Sequence, residues 1–151
     1  MGFISLGEDV GGMQARAHHW GVTVSDLDRA LEFYTGPLDL EVTDRFTLGT
    51  EEFNRIVGTS DRTADIAFLN AGDVDIELLE YDEPGANRNA GGRSNDVGVA
   101  HVSLEVDDVR AVYDDLSGEV DFYDEPQTLE NGATVVLATD PDGNVVELIG
   151  E

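Results

Sequence analysis

One stretch of sequence occurs twice, and that restricts what the chain can fold into. Residues His19 to Tyr34, HWGVTVSDLDRALEFY, return 82 positions later as His101 to Leu116, HVSLEVDDVRAVYDDL. Few identities survive, but the pattern does: His101 matches His19, Val106 matches Val24 and Asp108 matches Asp26. In the first copy His19, Gly21 and Thr23 alternate with Trp20, Val22 and Val24, which predicts a strand with one apolar face. Ser25 offers an N-cap oxygen, with Asp28 three residues on as an acidic variant of the capping box. Leu27, Ala30, Leu31 and Tyr34 then follow helical spacing, until Gly36-Pro37 stops it. In the second copy this stripe becomes Val109, Val112, Tyr113 and Leu116, and His101, Ser103 and Glu105 share the strand face away from the helix.

A second echo has an offset of 70. Residues 63–79, TADIAFLNAGDVDIELL, align without a gap on residues 133–149, ATVVLATDPDGNVVELI. Each predicts two strands joined by a turn, at Asn70-Ala-Gly-Asp73 and Asp140-Pro-Asp-Gly143. Leu40 to Phe46 and Val120 to Tyr123 supply weaker second strands, so each half reads strand, helix, strand, strand, strand. The fold class is α+β, with two βαβββ modules at residues 17–82 and 99–151, an extension at 1–16 and a Gly- and Asn-rich linker at 83–98 that can also serve as a lid. The offsets differ by twelve residues, which lie between Arg45 and Arg62 and form either an active-site loop or a surface insertion. Met13 stands just before the first periodic segment, so the opening dozen residues read as an extension or a start-site choice.

Composition narrows the function classes. Thirty-three acidic residues face eight basic ones, all Arg, for a formal net charge of -25. Such a surface repels nucleic acid and anionic membrane. Together with the absence of Lys, it points to a halophile's cytoplasmic protein, whose carboxylates hold water and counterions in strong salt. With no Cys, disulfides and thiolate chemistry are excluded, and no run has membrane-spanning length or the basic start of a secretory signal.

The repeat leaves four polar residues in equivalent places: His19 and His101 on the first strands, Glu77 and Glu147 on the last. Singly, each reads as an ordinary strand residue. Two copies of the same types at the same places argue for a shared task, because an ionised carboxylate on an apolar strand is costly unless compensated. Two imidazoles and two carboxylates suit a borderline divalent ion, Zn, Ni, Co, Mn or Fe, and leave two octahedral positions open. His18 has the opposite strand parity and no partner in the second half, which leaves it at the surface or behind the ligands. Asp140-Pro-Asp-Gly-Asn144 has its Gly too early for a calcium loop and reads as a hairpin turn.

The motifs HWGVTVSDLDRALEFY, DVDIELLEYDEP, GVAHVSLEVDDV and DPDGNVVELIG, spread over residues 19–149, resemble the vicinal oxygen chelate superfamily. That group includes glyoxalase I, extradiol dioxygenases, methylmalonyl-CoA epimerase and the bleomycin resistance proteins. The resemblance implies paired modules curving into a mixed sheet around a divalent metal, with His19, Glu77, His101 and Glu147 at the ligand positions and a homodimer in many members. It implies a metal acting as Lewis acid on two adjacent oxygens of a small-molecule substrate. A glyoxalase I-like lyase or isomerase, proceeding through a metal-bound enediolate, would use Glu147 as leading general base and Glu77 as a ligand that assists. An extradiol dioxygenase would use His19, His101 and Glu147 and leave Glu77 idle. An epimerase of the methylmalonyl-CoA type would need a base on each side of the carbon and a basic coenzyme site. A bleomycin-resistance-like binder would keep the modules without the ligand set.

Overall fold

The computed structural model describes residues 14–89 and 91–151; the opening dozen residues of the expected extension lie outside them. The first module comprises β1 (His19–Thr23), α1 (Leu27–Thr35), β2 (Glu41–Leu48), α2 (Glu51–Val57), β3 (Ala64–Asn70) and β4 (Asp75–Tyr81). The second comprises β5 (His101–Val106), α3 (Val109–Leu116), β6 (Asp121–Phe122), β7 (Gln127–Thr128), β8 (Thr134–Thr139) and β9 (Val145–Gly150). The mixed α+β fold expected from the repeat is present. Each module has its own mixed sheet, ordered β1-β4-β3-β2 in the first and β5-β9-β8-β6 in the second, where β7 also pairs with β8. In both, the first strand lies parallel to the last, β1 on β4 and β5 on β9. No strand pair joins the two sheets among the described residues, so β1 and β5 are both edge strands.

A common apolar core faces the helices. Leu27, Ala30 and Tyr34 of α1 pack with Leu69, Ile76 and Leu78 of the first sheet, and the same cluster takes in Val109 and Leu116 of α3 with Val136, Val146 and Leu148. Each fully buried Leu in it contributes about 1.5–3 kcal/mol. The helical stripes are therefore core, as their spacing requires.

Two local expectations change. The N-caps are Asp26 and Asp108, one residue after the expected Ser25: Asp26 Oδ1 accepts from the Arg29 amide at 3.1 Å and Asp108 Oδ1 from the Ala111 amide at 3.0 Å. Ser25 is engaged elsewhere, donating both its amide and its hydroxyl to the Asp142 carboxylate of the second module. The ungapped alignment of the hairpins also fails. Asn70 pairs with Asp75, but Thr139 pairs with Val145, so the second turn holds one more residue. The residue facing Glu77 is Phe68, and its counterpart facing Glu147 is Leu137 rather than Ala138. A one-residue slip would turn every side chain of β8 to the wrong face, and the buried Val136 and Ala138 fix the register instead.

The extra residue serves a buried junction. Asp140, 4% exposed, accepts from the amides of Asp142 and Asn144, from Asn144 Nδ2, and from the Tyr34 hydroxyl at 2.9 Å. The turn thus docks the second module onto α1 of the first. Burial first, and the Asp140 charge next, raise the Tyr34 pKa far above its ordinary value. Because the folded value lies above the unfolded one, this contribution to stability is complete below pH about 10 and is lost as pH rises further. Tyr34→Phe should cost about 1–2 kcal/mol in denaturant unfolding. Phenolate absorbance in alkaline titration should show one of the four tyrosines silent until the protein unfolds.

Candidate metal centre

The parity of β1 turns His19, Gly21 and Thr23 away from the helix-facing core, and Glu77 lies directly opposite Gly21 on the neighbouring β4. His19 Nε2 is 3.6 Å from Glu77 Oε1. In the second module Ser103 stands opposite Glu147, and His101 Nε2 is 3.1 Å from Glu147 Oε2. The structure therefore brings the four predicted residues together as two pairs, each an imidazole and a carboxylate on one sheet face. It does not bring the pairs to each other: among the described residues, no group of three His, Asp or Glu is placed to hold a metal ion.

Each pair fits half of a donor set. The side chains of Glu77 and Glu147 are only 18% and 19% exposed, and the partner nearest each is a His rather than an Arg. A half-shielded carboxylate beside an imidazole, with no permanent cation paired to it, is suited to a divalent ion. Each pair supplies one nitrogen and one oxygen, so four protein donors require two pairs from different chains or from a rearranged one.

His18, without a counterpart in the repeat, has a definite place. Its Nδ1 is 2.8 Å from His19 Nδ1, which directs the other nitrogen of His19 toward Glu77. The Phe68 ring meets His19 edge-on at 5.4 Å, and Phe46 stacks on Phe68 at 6.1 Å.

The residues between Arg45 and Arg62 fold into α2 and its flanks, which brace the wall beside the first pair. Phe53 of α2 is buried with Ala64 and Ile66, against Phe46, Phe68, Leu79 and Tyr81, and it stacks on Tyr81 at 6.2 Å. Asn54 secures the segment: its Nδ2 donates to the carbonyls of Thr50 and Arg62, and its Oδ1 accepts from the Thr59 hydroxyl and the Arg62 amide. Tyr81 follows Glu77 by four residues on the same strand face, and burial and then the Glu77 charge raise its pKa. The sequence signal for this wall was Phe46, Phe53, Phe68 and Tyr81, which are far apart along the chain.

The linker is pinned at one end. Asn87 Nδ2 donates to the Asp142 carbonyl at 3.0 Å, and Asn89 bonds Asn144. Residues 84–89 run beside Gly21 to Ser25 and, with Asp142 and Asn144, bound a cavity of about 410 Å³.

Comparison with known proteins identifies the family. A sequence profile described as the Glyoxalase/Bleomycin resistance protein/Dioxygenase superfamily matches residues 16–148. A 2-epi-5-epi-valiolone epimerase from an Actinomyces species is 34% identical over 145 residues, which is 87% of this chain and 77% of that protein. The crystal structure of a glyoxalase family protein from Bacillus cereus superposes with a TM-score of 0.81 at 22% identity, over 94% of this chain and 97% of that one. The trypanothione-dependent glyoxalase I of Leishmania major superposes with a TM-score of 0.61 at 26% identity, over 91% and 88%. With the family profile matched over residues 16–148 and a relative 34% identical over 87% of the chain, the chain belongs to the glyoxalase/bleomycin resistance protein/dioxygenase superfamily.

Proposed function

We propose that this protein is a divalent-metal-dependent enzyme that moves a proton at a carbon beside a carbonyl, acting as an epimerase on an uncharged hydroxy ketone. The observation that carries the reading is the duplicated pairing of an imidazole with a carboxylate, His19 with Glu77 and His101 with Glu147. Both carboxylates are retained, where a dioxygenase needs one. The 34% identity to an epimerase supports this outcome. The choice of an uncharged substrate follows that relative, a 2-epi-5-epi-valiolone epimerase. A glyoxalase I-like lyase or isomerase is the second reading, supported by the same four donors and by the fold shared with the Leishmania major enzyme.

The complete centre would join His19 and Glu77 of one protomer to His101 and Glu147 of a second copy, giving two centres in a twofold homodimer. A bound metal supplies Lewis-acid stabilisation of the negative charge developing on the substrate oxygens. The chain's own residues do the rest. One carboxylate takes the proton from carbon as the C–H electron pair moves onto the adjacent carbonyl oxygen. The other carboxyl group, protonated at the start of the step, delivers its own proton to the opposite face as the electron pair returns to carbon, which inverts the centre and leaves the first carboxyl protonated. The Phe68 ring, with Phe46 stacked on it, covers one side of His19. The same reading places the protein in a salt-rich cytoplasm, where the charge of -25 is screened.

The test offers Ni, Co, Mn, Zn or Fe(II) to the purified protein, followed by 2-epi-5-epi-valiolone in deuterium oxide. The expected result is about one metal per chain, with solvent deuterium at the inverted carbon. Turnover only of a hemithioacetal favours the second reading. Absence of near-stoichiometric metal overturns both and favours a small-molecule binding module.

A further inference from the structure

The two half-sites are alike in donors but not in restraint. Glu147 is held at both carboxylate oxygens: Oε2 lies 3.1 Å from His101 Nε2, and Oε1 accepts from the Ser103 hydroxyl at 3.1 Å. Ser103 occupies the position directly across the parallel ladder from Glu147. In the first module that position is Gly21, directly across from Glu77. Among the described residues Glu77 receives no hydrogen bond, and its nearest charged or ionisable neighbour is His19 Nε2 at 3.6 Å. A Cβ placed on Gly21 would lie 3.1 Å from Glu77 Oε1, so the carboxylate leans into the space the missing side chain leaves.

We infer that Ser103 is a positioning residue that fixes Glu147 as the anchored carboxylate of the centre, while Gly21 leaves Glu77 as the carboxylate able to swing. This rests on the proposed metal-dependent function and assigns unequal parts within it. A hydroxyl donor spanning adjacent strands restricts the carboxylate's last torsion, and outer hydrogen bonds of this kind orient metal ligands. Glu147 then works from a fixed position, and Glu77 moves between the centre and the substrate carbon. Ser103 and Gly21 are both exposed in the single chain and lie outside the apolar core, so substitutions there spare the core, although a side chain at Gly21 must shift the Glu77 carboxylate.

Cobalt(II) alone is the probe, read by its dissociation constant and its visible absorption. Ser103→Ala should weaken cobalt affinity about 10-fold or more and shift the absorption bands, and Ser103→Thr should restore both. Gly21→Ser, which places the same hydroxyl beside Glu77, should tighten cobalt binding. Unchanged affinity and spectrum in Ser103→Ala, or failure of Thr to rescue, would overturn the inference while the proposed function stands. A wild-type protein that takes up no cobalt overturns the proposed function itself, and this inference with it.

Discussion

Glu77→Gln and Glu147→Gln should each lower kcat by about 10²–10⁴-fold, the range a general acid or base contributes. Amide nitrogen cannot accept a proton from carbon, and the change preserves size on a face where each Glu is already packed beside a His. The two losses should differ in kind. Glu147 is held by both His101 and Ser103, so its replacement should also weaken metal binding, whereas Glu77→Gln should act mainly on kcat. Steady-state kinetics with metal titration separates these effects. An extradiol dioxygenase would keep much of its rate in Glu77→Gln, since two His and Glu147 complete its triad; that outcome would remove the proton-transfer reading.

The second large effect is complementation. A chain carrying His19→Ala and Glu77→Ala lacks the first pair, and one carrying His101→Ala and Glu147→Ala lacks the second. Each alone should be inactive. Unfolded and refolded together in equal amounts, they should recover about a quarter of wild-type activity, because half the dimers are mixed and each mixed dimer has one intact centre of two. The ground for expecting this is that the pairs do not meet within one chain among the described residues. Failure to recover any activity, with mixed dimers shown to form, would mean that each chain closes its own centre by rearranging its modules.

Much of the fold was legible in the chain because a duplicated unit carries its own check. Period-two alternation around His19 and His101, and helical spacing from Leu27 to Tyr34 and from Val109 to Leu116, located both copies, and the four ligand candidates followed from equivalence. Local capping was less legible. Ser25 and Asp26 are both good cap residues, and the choice fell to Asp26 because Asp142, distant in sequence, captures Ser25. The ungapped match of the hairpins was likewise reasonable by similarity, and wrong by one residue because hairpin register is set by side-chain burial and turn length together. The insert between Arg45 and Arg62 could not be placed from its residues, since Phe53 declares itself part of a wall only once Tyr81 lies beneath it.

The sequence by itself determined the repeated module, the face on which each His and Glu lies, and the exclusion of thiol chemistry, because these depend on local periodicity and composition. Only the tertiary structure decided that each His meets the Glu of its own module, that the two pairs stay apart within one chain, and that a hydroxyl restrains one carboxylate but not the other. The physical reason is that strand parity is local, whereas ladder register and module docking are settled by burial between residues distant in the chain. Ser103 and Gly21 read as equally unremarkable small residues until the register set each of them across from a glutamate.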